Sequence, residues 1–279
     1  MRITLFTCTK VSLLFIMNGI APLNGHPLFF LASGGINESN CIFAAMGQKK
    51  LIRFEAIKGF SNVLEYPIGM QGKWAELFTN KRPITLELAC GKGEYAVGLG
   101  KMYPERNFIG IDIKGNRIWR GAKTALDEGL GNIAFIRSHI DKITDYFSEG
   151  EVSEIWITFP DPQLRASRSK KRLTHPHFLR LYQKIVQPGG LVHLKTDSPR
   201  LYHFTLSVLN LFELELLEYT DQAYASTEIK PELTIKTHYE GLDIAQSKRV
   251  HYICFKINKP LPKEKDILLK KLFSEQELS

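Results

Sequence analysis

The sequence predicts an α/β fold, a mostly parallel seven-stranded sheet with helices on both faces. Three observations carry this. From Pro83 onward, apolar β-type runs alternate with helical patterns. The runs are about six residues long and separated by helices, which reads as successive βαβ units. The stretch LELACGKGEYA, Leu86 to Ala96, passes from a strand through Gly91-Lys92-Gly93 into a helix. In such sheets ligands bind at the carboxyl ends of the strands, where the strand order reverses.

The elements follow in order. Ile84–Ala89 (ITLELA) is a strand and Glu94–Tyr103 a helix. Phe108–Ile113 (FIGIDI) and Asn116–Glu128 repeat the pair, then Ile133–Ser138 (IAFIRS) and a short helix over Ile140–Phe147. Glu154–Phe159 (EIWITF) is the fourth strand, followed by a basic loop and a helix over Pro176–Val186. Gly189-Gly190 punctuates the chain before the fifth strand, Leu191–Thr196 (LVHLKT). Pro199–Leu211 is a helix, and Leu214–Thr220 and Val250–Ile257 are the last two strands.

Composition sets bounds. The 279 residues are 44% hydrophobic and 24% charged, which excludes a disordered, collagen-like or membrane-spanning chain as the main reading. A formal net charge of +8 points to an anionic partner without naming it. Cys8, Cys41, Cys90 and Cys254 include no CxxC pair and are too few for a disulfide scaffold, so a reducing compartment is expected. The histidines do not cluster with cysteines or carboxylates at zinc spacing, and no metal is expected. Residues 1–45 read as an unstructured extension or a mis-chosen start. Val11–Met17 is apolar, but too short to span a bilayer. Residues 46–258 are expected to form the main folded domain, with its core at 83–258, and 259–279 a tail with a marginal amphipathic helix.

At the first turn, Gly91-x-Gly93-x-x-Ala96 formally satisfies the dinucleotide pattern, with Asp112 as the acid about 20 residues on. Glu87 argues against NAD. It lies four residues before Gly91 in an apolar strand, where a carboxylate would repel a pyrophosphate and attract an ammonium and a sulfonium. S-adenosylmethionine carries both cations. Asp112 fits either cofactor, because a carboxylate there can accept both ribose hydroxyls. This segment resembles the first motif of class I S-adenosylmethionine-dependent methyltransferases, with Ala89 where a first glycine often stands. The resemblance implies a Rossmann-like sheet and places His139, or alternatively Asp141, near the adenine.

At the second turn, Phe159-Pro160-Asp161-Pro162 follows the fourth strand, and two prolines fix an exposed acid in a stiff turn. Five of the eight residues from Arg165 to Arg172 are basic: Arg165, Arg168, Lys170, Lys171 and Arg172. Over a cofactor site, such a run suits a polyanion. With Leu194-Lys195-Thr196-Asp197 and Thr237-His238-Tyr239-Glu240, these motifs resemble the bacterial tRNA (guanine-N7)-methyltransferases, over roughly Phe54 to Lys256. The chain departs from that pattern at Gln163, where a Trp is usual, at Arg165, where a Lys is usual, and at Ser167-Arg168, where Arg-His is usual.

The resemblance implies methyl transfer from S-adenosylmethionine to N7 of the variable-loop guanine (position 46) of tRNA, in the cytoplasm, by a monomer or homodimer. It implies that Glu87, Gly91, Gly93, Asp112, His139 and Asp161 line the cofactor side. Arg165, Asp197, Thr237 and Glu240 would line the substrate side, and Arg168, Lys170, Lys171 and Arg172 would meet RNA phosphates. Asp161 is the expected catalytic group. Asp197 has a second reading as the cap of the following helix. Two alternatives remain: a methyltransferase acting on another RNA or a small molecule, and an RNA-binding protein that has lost activity.

Overall fold

A computed structural model of the chain describes residues 48–225, 228–242 and 248–276; the expected extension over 1–45 lies outside them. Helix α1 (48–56) leads into a short 3₁₀ turn and strand β1 (Val63–Glu65). After α2 (Trp74–Phe78) come β2 (Ile84–Leu88), α3 (Glu94–Met102), β3 (Asn107–Asp112), α4 (Gly115–Asp127) and β4 (Ile133–Arg137). Then follow β5 (Val152–Thr158), α5 (Pro176–Ile185), β6 (Val186–Thr196), α6 (Pro199–Phe212), β7 (Glu215–Thr220), β8 (His251–Lys256) and α7 (Lys265–Gln276).

These strands form one eight-stranded sheet in the order β1-β4-β3-β2-β5-β6-β8-β7. It is parallel except at β8, which pairs antiparallel with β6 and with β7. The expected seven strands are all present. The eighth, β1, pairs with β4 over three residues and is too short to show alternation. A second difference concerns Gly189-Gly190. β6 begins at Val186, opposite Val152, and its register against β5 shifts before Leu191, so the glycines lie within the strand.

Side chains alternate across the sheet with period two. Leu86, Ile109, Ala134, Ile155, Val192 and Ile253 pack into one core layer, with α5 and α6. Phe108, Phe135, Trp156 and Tyr252 face the other layer, with Tyr95 and Leu99 of α3. Alternation sends Glu87, Thr158 and Lys195 to this second face, near the carboxyl ends of β2, β5 and β6. The order reverses at β2, which pairs with β3 on one side and β5 on the other. The tail is tied in as well: Leu261 and Leu269 are buried, and Arg180 pairs with Asp266 at 2.6 Å.

Candidate active site

The turn after β2 is left-handed at three residues, with φ of 55° at Ala89, 55° at Gly91 and 71° at Gly93. Glycine adopts this region freely, whereas alanine there carries strain. A Cβ on Gly93 would also stand 2.5 Å from the Phe135 ring, so the close approach of turn and β4 needs glycine.

Glu87 is buried, at 3% exposure, and lies beneath this turn. Its Oε2 accepts the Ala96 N–H at 2.8 Å and its Oε1 accepts the Thr158 hydroxyl at 3.2 Å. Burial raises its pKa to about 8, with Glu94 adding to the rise and these hydrogen bonds opposing it. The sequence alone points to a carboxylate that attracts a cation; the structure adds a second task. Here it is also the anchor between the turn, α3 and β5.

Asp112 ends β3 and ties the turn from the other side. Its Oδ2 accepts the Gly91 N–H at 2.9 Å and its Oδ1 the Lys114 N–H at 2.8 Å. A carboxylate has about four acceptor positions, so these two bonds leave capacity for a pair of hydroxyls. Ser138 donates its N–H to the Asp112 carbonyl at 3.1 Å, which brings the exposed His139 to the same edge. Asp141, the alternative, pairs with His177 at 3.0 Å.

Asp161 is exposed on the turn leaving β5, beside β2, and its Oδ1 accepts the Gln163 N–H at 3.0 Å. Left-handed Phe159 (φ 45°) and Gln163 (φ 47°) bracket it. Strain of this kind persists where surrounding structure enforces it, and it clusters at functional sites. Asp197 follows β6 and is half-buried. The helix cap is the next residue: the Ser198 hydroxyl accepts the Leu201 N–H at 3.3 Å.

The basic run is a 3₁₀ segment over Ala166–Lys171. Arg165, Arg168, Lys170 and Lys171 are exposed. Arg172 differs from its neighbours. It is buried at 3% exposure, its guanidinium donates to the Pro162 and Gln163 carbonyls, and it stacks 4.4 Å over the Phe204 ring. It ties down the Asp161 turn through those two carbonyls. A cavity of about 310 Å³ opens between Ser169, Arg172, Arg200, His203 and Phe273, beside the exposed cations.

Thr237 and Glu240 are also engaged internally. The Thr237 hydroxyl accepts the Glu240 N–H at 3.1 Å. The Glu240 side chain is 8% exposed and receives Lys195 Nζ at 3.1 Å and the Tyr224 hydroxyl at 2.5 Å. Neither presents an open edge to a base in this conformation. Between them, Tyr239 lies against the glycine turn: a Cβ on Gly91 would be 3.3 Å from its ring. The Arg117 guanidinium stands 5.2 Å from the centre of that ring. Sequence reasoning assigned no role to Thr158, Lys195, Tyr224 or Tyr239. For Lys195 a signal existed, a lone lysine near the end of an apolar strand. Among the described residues no group of His, Cys, Asp or Glu could hold a metal ion, and no helix is long and apolar enough to cross a membrane.

A family model for methyltransferases matches residues 81–253. The tRNA (guanine-N7)-methyltransferase of Porphyromonas gingivalis is 46% identical, over 72% of this chain and 86% of its own length. The enzyme of the same name from Christiangramia forsetii is 47% identical, over 76% and 100%. That from Bacteroides thetaiotaomicron is 42% identical, over 76% and 87%. Among solved structures, the 16S rRNA methyltransferase KamB superposes with a TM-score of 0.52 at 14% identity, covering 68% of this chain and 94% of its own. At that identity the likeness concerns the fold.

Proposed function

Because the chain belongs to the tRNA (guanine-N7)-methyltransferase family, we propose that the edge between its glycine turn and Asp161 transfers a methyl group from S-adenosylmethionine to N7 of a tRNA guanine, at position 46 in the variable loop. The observation that carries this is the adjacency of the two turns. β2 and β5 are neighbours, with Glu87 opposite Trp156, so the cofactor turn and the acidic turn leave the sheet side by side. The exposed cations begin four residues after Asp161, which puts a polyanion's binding surface next to the reacting edge.

The residues fit the cofactor. Asp112 keeps acceptor capacity for the two ribose hydroxyls, and the buried Glu87 favours a cationic rather than an anionic tail above the turn. The donor supplies a sulfonium-bound methyl, whose C–S electron pair stays on sulfur as guanine N7 forms the new bond. N7 offers an in-plane lone pair and bears no proton, so the protein needs no general base there. Its contribution is alignment, worth about 7–11 kcal/mol in the best cases. The product ring is cationic, and Asp161 stabilises that charge as it develops. Asp197 accepts from the guanine N1–H and exocyclic amine, and Thr237 and Glu240 position that side. Arg165, Arg168, Lys170 and Lys171 neutralise phosphates. The catalytic domain is 46–258, and the reaction belongs to the cytoplasm.

The test is incubation of the pure protein with labelled methyl donor and unmodified tRNA, followed by mapping of the modified base. Label at N7 of the variable-loop guanine is the expected result. Label on another base, on another RNA or on a small metabolite in preference to tRNA would sink the reading.

A further inference from the structure

We propose that Lys195 is a positioning residue, a buried latch that joins the Asp161 turn to the Thr237–Glu240 segment and holds that segment over the cofactor turn. The inference rests on the function proposed above and adds a residue to which that reading gives no task.

Lys195 lies at the end of β6 and is fully buried. An ammonium removed from water is costly unless every proton finds an acceptor. All three do, and all three acceptors belong to one stretch of chain. Nζ donates to the Leu233 carbonyl at 2.9 Å, the Ile235 carbonyl at 2.9 Å and Glu240 Oε2 at 3.1 Å. The Tyr95 and Tyr224 rings stand 5.3 Å from the ammonium and the Phe159 ring 5.6 Å. Desolvation lowers the Lys195 pKa, and Glu240 opposes that.

The main chain of the same residue points the other way. The Lys195 carbonyl accepts the Phe159 N–H at 2.8 Å, at the entry to the Asp161 turn. One residue therefore grips the acidic turn through its backbone and the distant segment through its side chain. The segment in turn lays Tyr239 on Gly91 and donates the His238 N–H to Glu94 at 3.4 Å. A lysine serving only as core filler has no reason to spend every donor on one segment that carries the substrate motif.

The test compares wild type with Lys195→Met, which keeps volume and removes the charge, and with Glu240→Gln, which keeps the side-chain shape. Amide hydrogen exchange is measured without substrates. Exchange at 233–240 is expected to accelerate about tenfold or more in both variants, while β2 and α3 keep their protection. In tRNA methylation, kcat is expected to fall about tenfold or more, with the dissociation constant for S-adenosylmethionine within about threefold. The double variant should be no worse than Lys195→Met alone, because the two residues act as one unit. Wild-type exchange at 233–240, or acceleration spread evenly over the sheet, overturns the latch. Failure of the wild-type protein to methylate tRNA would instead overturn the function, and the exchange result would still judge the latch.

Discussion

The Glu87 carboxylate accepts the Ala96 N–H at 2.8 Å and so joins the carboxyl end of β2 to the first turn of α3 across the glycine turn. It does this while buried, with a pKa raised from 4.5 to about 8. The folded state therefore holds a proton that the unfolded chain gives up near 4.5. Stability from this group is fully present below about 4.5 and is lost as pH rises through about 8. The slope is at most about 1.4 kcal/mol per pH unit for one proton. Denaturant unfolding at pH 5.5 and 7.5 checks this, with Glu87→Gln as the reference that removes the titration. The wild type should lose about 2 kcal/mol more than the variant over that interval; equal losses would mean that Glu87 titrates normally.

The same ionisation links to the ligand. A bound ammonium or sulfonium favours the Glu87 carboxylate, so binding should release a proton near pH 7. Calorimetry of S-adenosylmethionine in buffers of different ionisation enthalpy measures that release. In Glu87→Gln it should vanish, and affinity in the wild type should rise with pH up to about 8. A release unchanged by the substitution would assign it to another group.

Gly93 and Gly129 separate backbone strain from crowding. Both are left-handed, with φ of 71° and 66°. A Cβ on Gly93 meets Phe135 at 2.5 Å, whereas one on Gly129 has nothing within 4 Å. Gly129→Ala should cost about 1 kcal/mol from strain alone. Gly93→Ala should cost a further 1–3 kcal/mol or so from overpacking. Equal losses in melting or denaturant midpoint would show that β4 yields freely.

How much of this was legible in the sequence depended on whether the signal was local. The strand-turn-helix at Leu86–Ala96 and the Pro-bracketed Asp161 carry their conformation in neighbouring residues, and both lie at the expected edge. β1 carries no pattern in three residues, and the glycines within β6 look like a boundary because a register shift leaves no trace in composition. Within a run of cations, nothing marks which side chain turns inward. The 3₁₀ winding of Ala166–Lys171 decides that, and it sends Arg172 under the turn. The pairing of Lys195 with Glu240 spans 45 residues and is a tertiary fact.

That inward turn of Arg172 makes its effect differ in kind from those of its neighbours. Arg172→Gln unpairs the Pro162 and Gln163 carbonyls and should lower stability by roughly 1–3 kcal/mol, leaving the salt dependence of tRNA binding in place. Replacing Arg168, Lys170 and Lys171 together by Gln should leave stability nearly unchanged. It should reduce the slope of log K against log salt by about 2–3. Binding titrations at several salt concentrations separate the two, and a full slope in the triple variant would make the run a plain solvated surface.

Asp161 is the remaining test of the chemistry. Its backbone turn is held by neighbours: the Phe159 N–H on the Lys195 carbonyl and the Arg172 guanidinium on the Pro162 and Gln163 carbonyls. The carboxylate itself adds only the Gln163 N–H bond. Asp161→Asn can keep that bond and removes only the charge, so folding and tRNA affinity should persist. Under the proposed function, the substitution deletes charge stabilisation at the developing guanine cation. By analogy with the loss of one preorganised transition-state contact, kcat should fall by about 10²–10³. Measured under single-turnover conditions, that drop should appear in the chemical step. A variant with near wild-type single-turnover rate would remove Asp161 from the reacting region and leave the methyl transfer to alignment alone.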